Sequence, residues 1–331
     1  MTISPLANRA ATRELLDEFG LATKHRFGQN FLIDNHVIER ICELAELTGT
    51  EHVLEVGPGI GTLTLALVQE AARVVSIEMD SALEPVLDAH AADYPNFRYL
   101  MGDALRVSSE RIVEAAGAPP THFVANLPYN VAATIILDFF EKMPNLERAV
   151  VMVQKEVADR ISAQPGSKDY GAYTVKLSLF AQVTGRFEVP PRCFMPAPHV
   201  DSAVVRLDRL GCEAEGLVAS AGAGSVQAQH GSDAADFVSK VCRVVDAAFA
   251  QRRKTIRNSM GSNGFAKDAL DAAFEATGIA PTVRAETLST ERFVALTQEL
   301  ARPSRERGAG ETDDFRAAFV RQNGQEKAAF L

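Results

Sequence analysis

From residue 52 onward, short runs of β-branched and aromatic residues alternate with longer stretches in which apolar positions recur every three or four residues. That alternation is the pattern of a parallel, doubly wound sheet with crossover helices on its faces. Strands are predicted at His52–Val56, Val74–Met79, Phe97–Met101, Phe123–Asn126 and Ala149–Val153. Helices are predicted between and after them at Thr62–Ala71, Ser81–Ala92, Leu105–Ala116 and Ala132–Lys142. Helical spacing returns at Gln154–Ala163 and Gly171–Gln182, and two more strands read at Arg186–Val189 and Ala203–Leu207. A late strand pair after five parallel ones suggests an antiparallel hairpin that closes the sheet. The expected fold class is therefore α/β and Rossmann-like, with a small all-helical domain behind it.

That second domain follows a change in composition. Gly211–Ser232 is rich in Gly, Ala, Ser and Gln without apolar periodicity, which reads as a flexible linker. Phe237–Phe249 then places Phe237, Val241, Val244, Val245, Ala248 and Phe249 on one helical face, and Ala266–Thr277 and Thr290–Ala301 repeat the pattern. The expected division is an arm at 1–23, a sheet domain at 24–209, a linker at 210–233, a helical domain at 234–301 and a disordered polar tail at 302–331.

Composition narrows the class. No apolar run reaches the ~18–20 residues of a membrane span, and Met1–Arg13 lacks a signal-peptide core. Cys42, Cys193, Cys212 and Cys242 are far apart and unpaired in pattern, as expected of reduced thiols in a cytoplasmic protein. The seven histidines form no ligand cluster, so no metal is expected. A net charge of -9 argues against binding nucleic acid over the whole surface but allows local basic faces. Lys24 and Arg26 form one such cluster; Arg252, Arg253, Lys254 and Arg257 form another, with Arg253, Lys254 and Arg257 able to share a helical face. Either cluster could equally be a solvated surface.

Chemistry concentrates at the predicted strand ends. The first strand runs into Gly57-Pro58-Gly59-Ile60-Gly61-Thr62, a glycine-rich turn that allows close approach of a ligand. The position of Gly61 and the missing N–H of Pro58 tilt away from a dinucleotide diphosphate. Glu78 ends the second strand, about 20 residues after the turn, where an acid would accept ribose hydroxyls. Asp103 follows the third strand and could accept from an adenine amine. Asn126-Leu127-Pro128-Tyr129 follows the fourth. The Asn126 side-chain carbonyl and the Leu127 carbonyl can accept from a planar amino group, Pro128 stiffens the turn, and Tyr129 offers a ring for a base to stack on. Four such features at successive strand ends point to S-adenosylmethionine rather than NAD, since ligands of open α/β sheets sit at those ends.

The chain closely resembles the ribosomal RNA adenine dimethyltransferases. The resemblance rests on KHRFGQNFL at 24–32, EVGPGIGTLT at 55–64, NLPYN at 126–130, QKEVADRI at 154–161, SKDYG at 167–171, EVPPRCFMPAPHVDSAVVRL at 188–207 and QRRKTIRNS at 251–259. It covers about residues 24–300; the 211–232 stretch is longer than the family's pattern and the tail has no counterpart. The resemblance implies a class I S-adenosylmethionine-dependent methyltransferase sheet and dimethylation of two adjacent adenosines near the 3′ end of small-subunit (16S) rRNA. It implies donor contacts from Asn30, Leu32, Gly57, Glu78, Asp103 and Asn126, with Gly59 in the same turn, and it makes Phe194 the ring for the second face of the flipped base. Read from the residues alone, the Phe27–Leu32 segment is a packed arm before a helix with Asp34 near its cap, and Phe194 could be core. Small-subunit RNA is the implied partner of the basic residues, with a monomer as the default. The competing readings are a methyltransferase for large-subunit rRNA, a non-catalytic ribosome-assembly factor on the same fold, and, more remotely, an NAD-dependent dehydrogenase.

Overall fold

A computed structural model describes residues 3–21, 29–210 and 231–302. They form two units: the described residues up to Ser162 with Phe180–Arg209 make one, and Ala163–Leu179 with the described residues from Leu210 onward make the other.

In the first unit, helix α1 (Arg9–Glu18) is followed by the short strand β1 (Phe31–Leu32) and helix α2 (Asn35–Ala45). The expected arm is thus helical. Asn8 caps α1 by accepting from the Ala11 N–H, and Leu6 and Leu16 pack with Phe31, Ile60, Leu65 and Leu83. Next come β2 (His52–Val56), α3 (Thr64–Glu70), β3 (Arg73–Glu78), α4 (Glu84–Asp93), β4 (Phe97–Met101), α5 (Ser109–Ala116), β5 (His122–Asn126), α6 (Ala132–Lys142), β6 (Arg148–Gln154) and α7 (Lys155–Ile161). Strands β2 to β6 are parallel. Residues of β2, β3, β5 and β6 are mostly buried on both faces because helices cover both, which is why they read as apolar runs rather than alternating ones, whereas the edge strand β4 is only partly buried.

After α8 (Ala172–Leu177), strand β7 (Ala181–Val189), the short β8 (Phe194–Met195) and β9 (Ser202–Arg209) complete the sheets. The seven-stranded order is β4-β3-β2-β5-β6-β9-β7, with β9 antiparallel to both β6 and β7. The expected antiparallel closure is present. The expected helix over Gly171–Gln182, however, stops at Leu177, and β7 starts five residues before the predicted Arg186. A bulge between Val183 and Gly185 breaks the period of two there, which hides the strand from pattern reading. A separate two-stranded sheet pairs β1 with β8, setting Leu32 opposite Phe194.

The second unit contains α8 and helices α9 (Gly231–Phe249), α10 (Ile256–Ser262), α11 (Lys267–Thr277) and α12 (Thr290–Ala301). Its core joins Val241, Val244, Val245, Ile256, Met260, Phe274, Phe293 and Leu296. Tyr170 and Val175 belong to this core, and the Tyr170 hydroxyl donates to the Leu288 carbonyl at 2.8 Å. Residues 163–179 therefore fold with the helices, although their place in the chain suggested the sheet domain. Helix α9 also begins at Gly231, inside the expected linker; the rest of that linker and the tail from 303 lie outside the described residues.

Candidate active site

Parallel strands leave their carboxyl ends on one edge of the sheet, and here Val56, Glu78 and Asn126 end β2, β3 and β5 on that edge. Between them lies an open cleft of about 720 Å³ including its mouth. It is lined by Gln29, Asn30, Leu32, Gly57, Gly59, Thr62, Glu78 and the Asn126–Tyr129 segment, among others.

Two glycines shape one wall of the cleft. Gly57 has φ of +70°, and a Cβ there would sit 3.4 Å from Pro128 Cδ. Gly59 has φ of +60°, and a Cβ would come within 3.1 Å of the Phe31 ring. Both positions take a left-handed backbone that favours glycine, and at Gly59 a side chain would also crowd the Phe31 ring where β1 closes against the loop.

Glu78 is buried and accepts the Gly59 N–H on Oε2 (3.2 Å) and the Met79 and Asp80 N–H groups on Oε1 (both 2.8 Å). Burial holds its carboxyl above the ordinary value despite those donors. A carboxylate offers about four acceptor positions, so roughly one remains on Oε2 for a further donor.

Asn126 donates through Nδ2 to the Asn30 carbonyl at 3.4 Å, which turns Oδ1 to the opposite side as an acceptor. The Leu127 N–H is used by the sheet, donating to the Met152 carbonyl at 3.1 Å. Tyr129 is half-buried and shares a 2.6 Å hydrogen bond with the Ser202 hydroxyl.

Three lining residues escaped notice as individuals. Gln29 donates to Asp80 Oδ2 at 2.9 Å, tying the β1 segment to the end of β3. Glu55 is 1% exposed and receives the Ser76 and Thr64 hydroxyls on a single oxygen, Oε2, at 2.6 and 2.7 Å. Burial pushes its carboxyl up to about 7, the two hydroxyls lower it, and the Glu78 charge raises it again. Thr62 Oγ1 is buried with no hydrogen-bond partner among the described residues. One signal for Glu55 was available: a charge inside the otherwise apolar run His52–Val56, since acids are almost never fully buried without a reason. Thr62 and Gln29 gave no comparable signal.

Two expected residues lie away from the cleft wall. Asp103 follows β4, one strand beyond Glu78; its Oδ1 accepts the Leu105 N–H at 3.0 Å and its Oδ2 lies 3.5 Å from Arg106 Nε. Phe194 is 0% exposed and packs in the main core. It presents no face for stacking in this conformation, because the β1–β8 pairing turns it inward opposite Leu32.

The basic residues divide as well. Lys24 and Arg26 lie outside the described residues. Arg253 and Lys254 are exposed in a turn, and the helix begins only at Ile256 behind the Thr255 cap, so they share no helical face with Arg257. Arg257 binds both oxygens of Asp271, at 2.5 and 2.6 Å. Arg252 lies 3.3 Å from Glu286 and also donates to the Lys168 carbonyl.

A doubly wound sheet with a glycine turn, a buried acid and an Asn-Leu-Pro-Tyr segment at the ends of adjacent inner strands has the architecture of a class I S-adenosylmethionine-dependent methyltransferase. The family model for ribosomal RNA adenine dimethylase matches residues 20–214, and the chain belongs to that family. Among its relatives is a ribosomal RNA small subunit methyltransferase A from Streptomyces griseus subsp. griseus, 40% identical over 88% of this chain and 94% of that protein. Another, of the same name, from Corynebacterium jeikeium is 38% identical over 86% of this chain and 92% of its own. Among solved structures, a Plasmodium falciparum dimethyladenosine transferase shares the fold with a TM-score of 0.63 at 23% identity, covering 80% of this chain and 95% of that one. The 23S rRNA methyltransferase ErmE superposes with a TM-score of 0.58 at 27% identity, covering 82% of this chain and all of its own. No metal-binding group of His, Cys, Asp or Glu occurs among the described residues, and no described helix is long and apolar enough to cross a membrane.

Proposed function

We propose that this chain transfers methyl groups from S-adenosylmethionine to N6 of two adjacent adenosines in the 3′-terminal hairpin of 16S rRNA, in the cytoplasm and as a monomer. The observation that carries this reading is Asn126, whose Nδ2 is held by Asn30 while Oδ1 is left as an acceptor on the cleft that Gly57 shares with Pro128.

The donor supplies an electrophilic methyl group on a sulfonium. The residues fit it: Glu78 keeps an acceptor position for ribose, Asn30, Leu32 and Gly59 line the same space, and Asp103 is the next acid along the edge for the adenine amine. Thr62 and Glu55 suit the amino-acid end, the orphaned hydroxyl donating to its carboxylate and the buried carboxylate accepting from its ammonium.

An adenine amine is a poor nucleophile while its lone pair is delocalised. Asn126 Oδ1 and the Leu127 carbonyl would accept its N–H groups and favour the pyramidal form, with Tyr129 stacked on the extruded base. No strong base is required, because methylation acidifies the remaining proton; orientation does most of the catalysis. Arg253 and Lys254 are the residues best exposed for RNA phosphates, with Lys24 and Arg26 as further contacts, while Arg252 and Arg257 are engaged within their own unit.

The test is to incubate the protein with labelled donor and, in separate reactions, unmethylated small or large subunits, digest to nucleosides and map the site by primer extension. N6,N6-dimethyladenosine at two adjacent positions of the small-subunit RNA is expected. Label only in large-subunit RNA would favour the activity that ErmE's name describes, and no label with either would favour an assembly factor.

A further inference from the structure

We propose that Ser202 is a positioning residue for methyl transfer, its hydroxyl holding the Tyr129 ring in place for the target base. The proposal rests on the reading of Tyr129 as the stacking ring.

The argument begins with topology. Strand β9 is antiparallel to β6 and β7, so its first residue lies where β6 and β7 end. Ser202 pairs with Gln154, the last residue of β6, and with Val189, the last residue of β7. A parallel strand in that place would bring its last residue to this edge instead. Ser202 is 0% exposed and held by strand neighbours on both sides, so its hydroxyl is a fixed point.

Tyr129 lies in a segment that is otherwise tied only near its ends. The Leu127 N–H donates to Met152 at 3.1 Å, and the Val131 N–H donates to Pro128 at 3.2 Å. The 2.6 Å bond to Ser202 spans 73 residues of sequence and restrains the phenol from its far end. Stacking requires the ring plane to be set before the base arrives, because a ring free to rotate loses that freedom on binding. Burial also keeps the Tyr129 phenol above its ordinary value, so the hydroxyl stays neutral and remains a partner for Ser202. With its oxygen engaged this way, Tyr129 acts through its face rather than as an acid or base.

The experiment is a double-mutant cycle on the full chain with Ser202→Ala, Tyr129→Phe and the two combined. It reads kcat/KM on unmethylated small subunits, affinity for S-adenosylhomocysteine and the thermal midpoint. Each single variant is expected to lose about five- to tenfold in kcat/KM, the size of one hydrogen bond. The combined variant should lose no more than either, with product affinity unchanged within about twofold. Additive losses, an unaffected Ser202→Ala, or equal loss of product affinity would overturn the proposal. Should Ser202→Ala fold poorly, Tyr129→Phe at the less buried end still decides it: unchanged turnover on RNA overturns it. Tyr129→Ala separates the two levels, since full activity in that variant would sink the stacking reading itself.

Discussion

In the sheet unit, Glu78 takes three backbone N–H groups from its own strand end and the neighbouring glycine turn, whereas in the helical unit Arg257 takes both oxygens of Asp271. The first charge is fixed by main chain that the sheet has already placed, so it remains on the cleft whatever its neighbours do. The second is cancelled by a side chain 14 residues away. A carboxylate at a strand end can therefore be placed on the cleft from its position in the chain. A guanidinium in a basic cluster does not, because a distant acid can claim it.

The sharpest way to break this contrast is Asn126→Ala. If the cleft is rigid and Oδ1 is the acceptor, single-turnover transfer should fall by about 10²–10³-fold, as for loss of a charge-stabilising group in other sites, with the thermal midpoint nearly unchanged. A loss below about fivefold would mean that Oδ1 faces nothing that reacts. Glu78→Gln comes next: it places an amide NH₂ against one set of N–H donors, so titration calorimetry should show donor affinity reduced about 10–100-fold.

Glu55 gives a pH test. Its carboxyl is raised to about 7 without donor, so in that state its stabilising effect is present at low pH and lost as pH rises through about 7. A donor ammonium favours the ionised form, so donor affinity should weaken below pH about 7, approaching tenfold per unit. Glu55→Gln should flatten that slope; a slope unchanged in the variant would assign the titration elsewhere. The smallest effect concerns the helical unit. Arg253→Ala with Lys254→Ala should reduce the salt slope of RNA binding by about 1.5, while Arg257→Ala should leave it alone. An equal change from Arg257 would erase the distinction drawn between exposed and engaged cations.

Much of the inner sheet was legible because parallel strands buried on both faces read as apolar runs, and the proposed site residues fall at strand ends. Glu78 and Asn126 follow from that rule. What escaped notice depended on contacts distant in sequence. Phe194 is turned inward by pairing with Leu32, which no local pattern encodes. Tyr170 and Val175 sit in a core whose other members lie beyond residue 230. Strand β7 was masked by its bulge, and Arg253 and Lys254 by a helix that starts one residue after Thr255. Thr62 shows only as a buried atom without a partner, which requires coordinates to see.

The chain passes from one unit to the other after Ser162, returns after Leu179 and leaves again after Arg209. Cutting it at Arg209 to isolate the catalytic half would strand Tyr170, Val175 and their neighbours with no oily surface to bury against, and such a fragment should clump rather than stay dispersed. The two halves are stitched together by a loan of seventeen residues, 163 to 179, and a workable dissection must return that loan by excising it along with the helices.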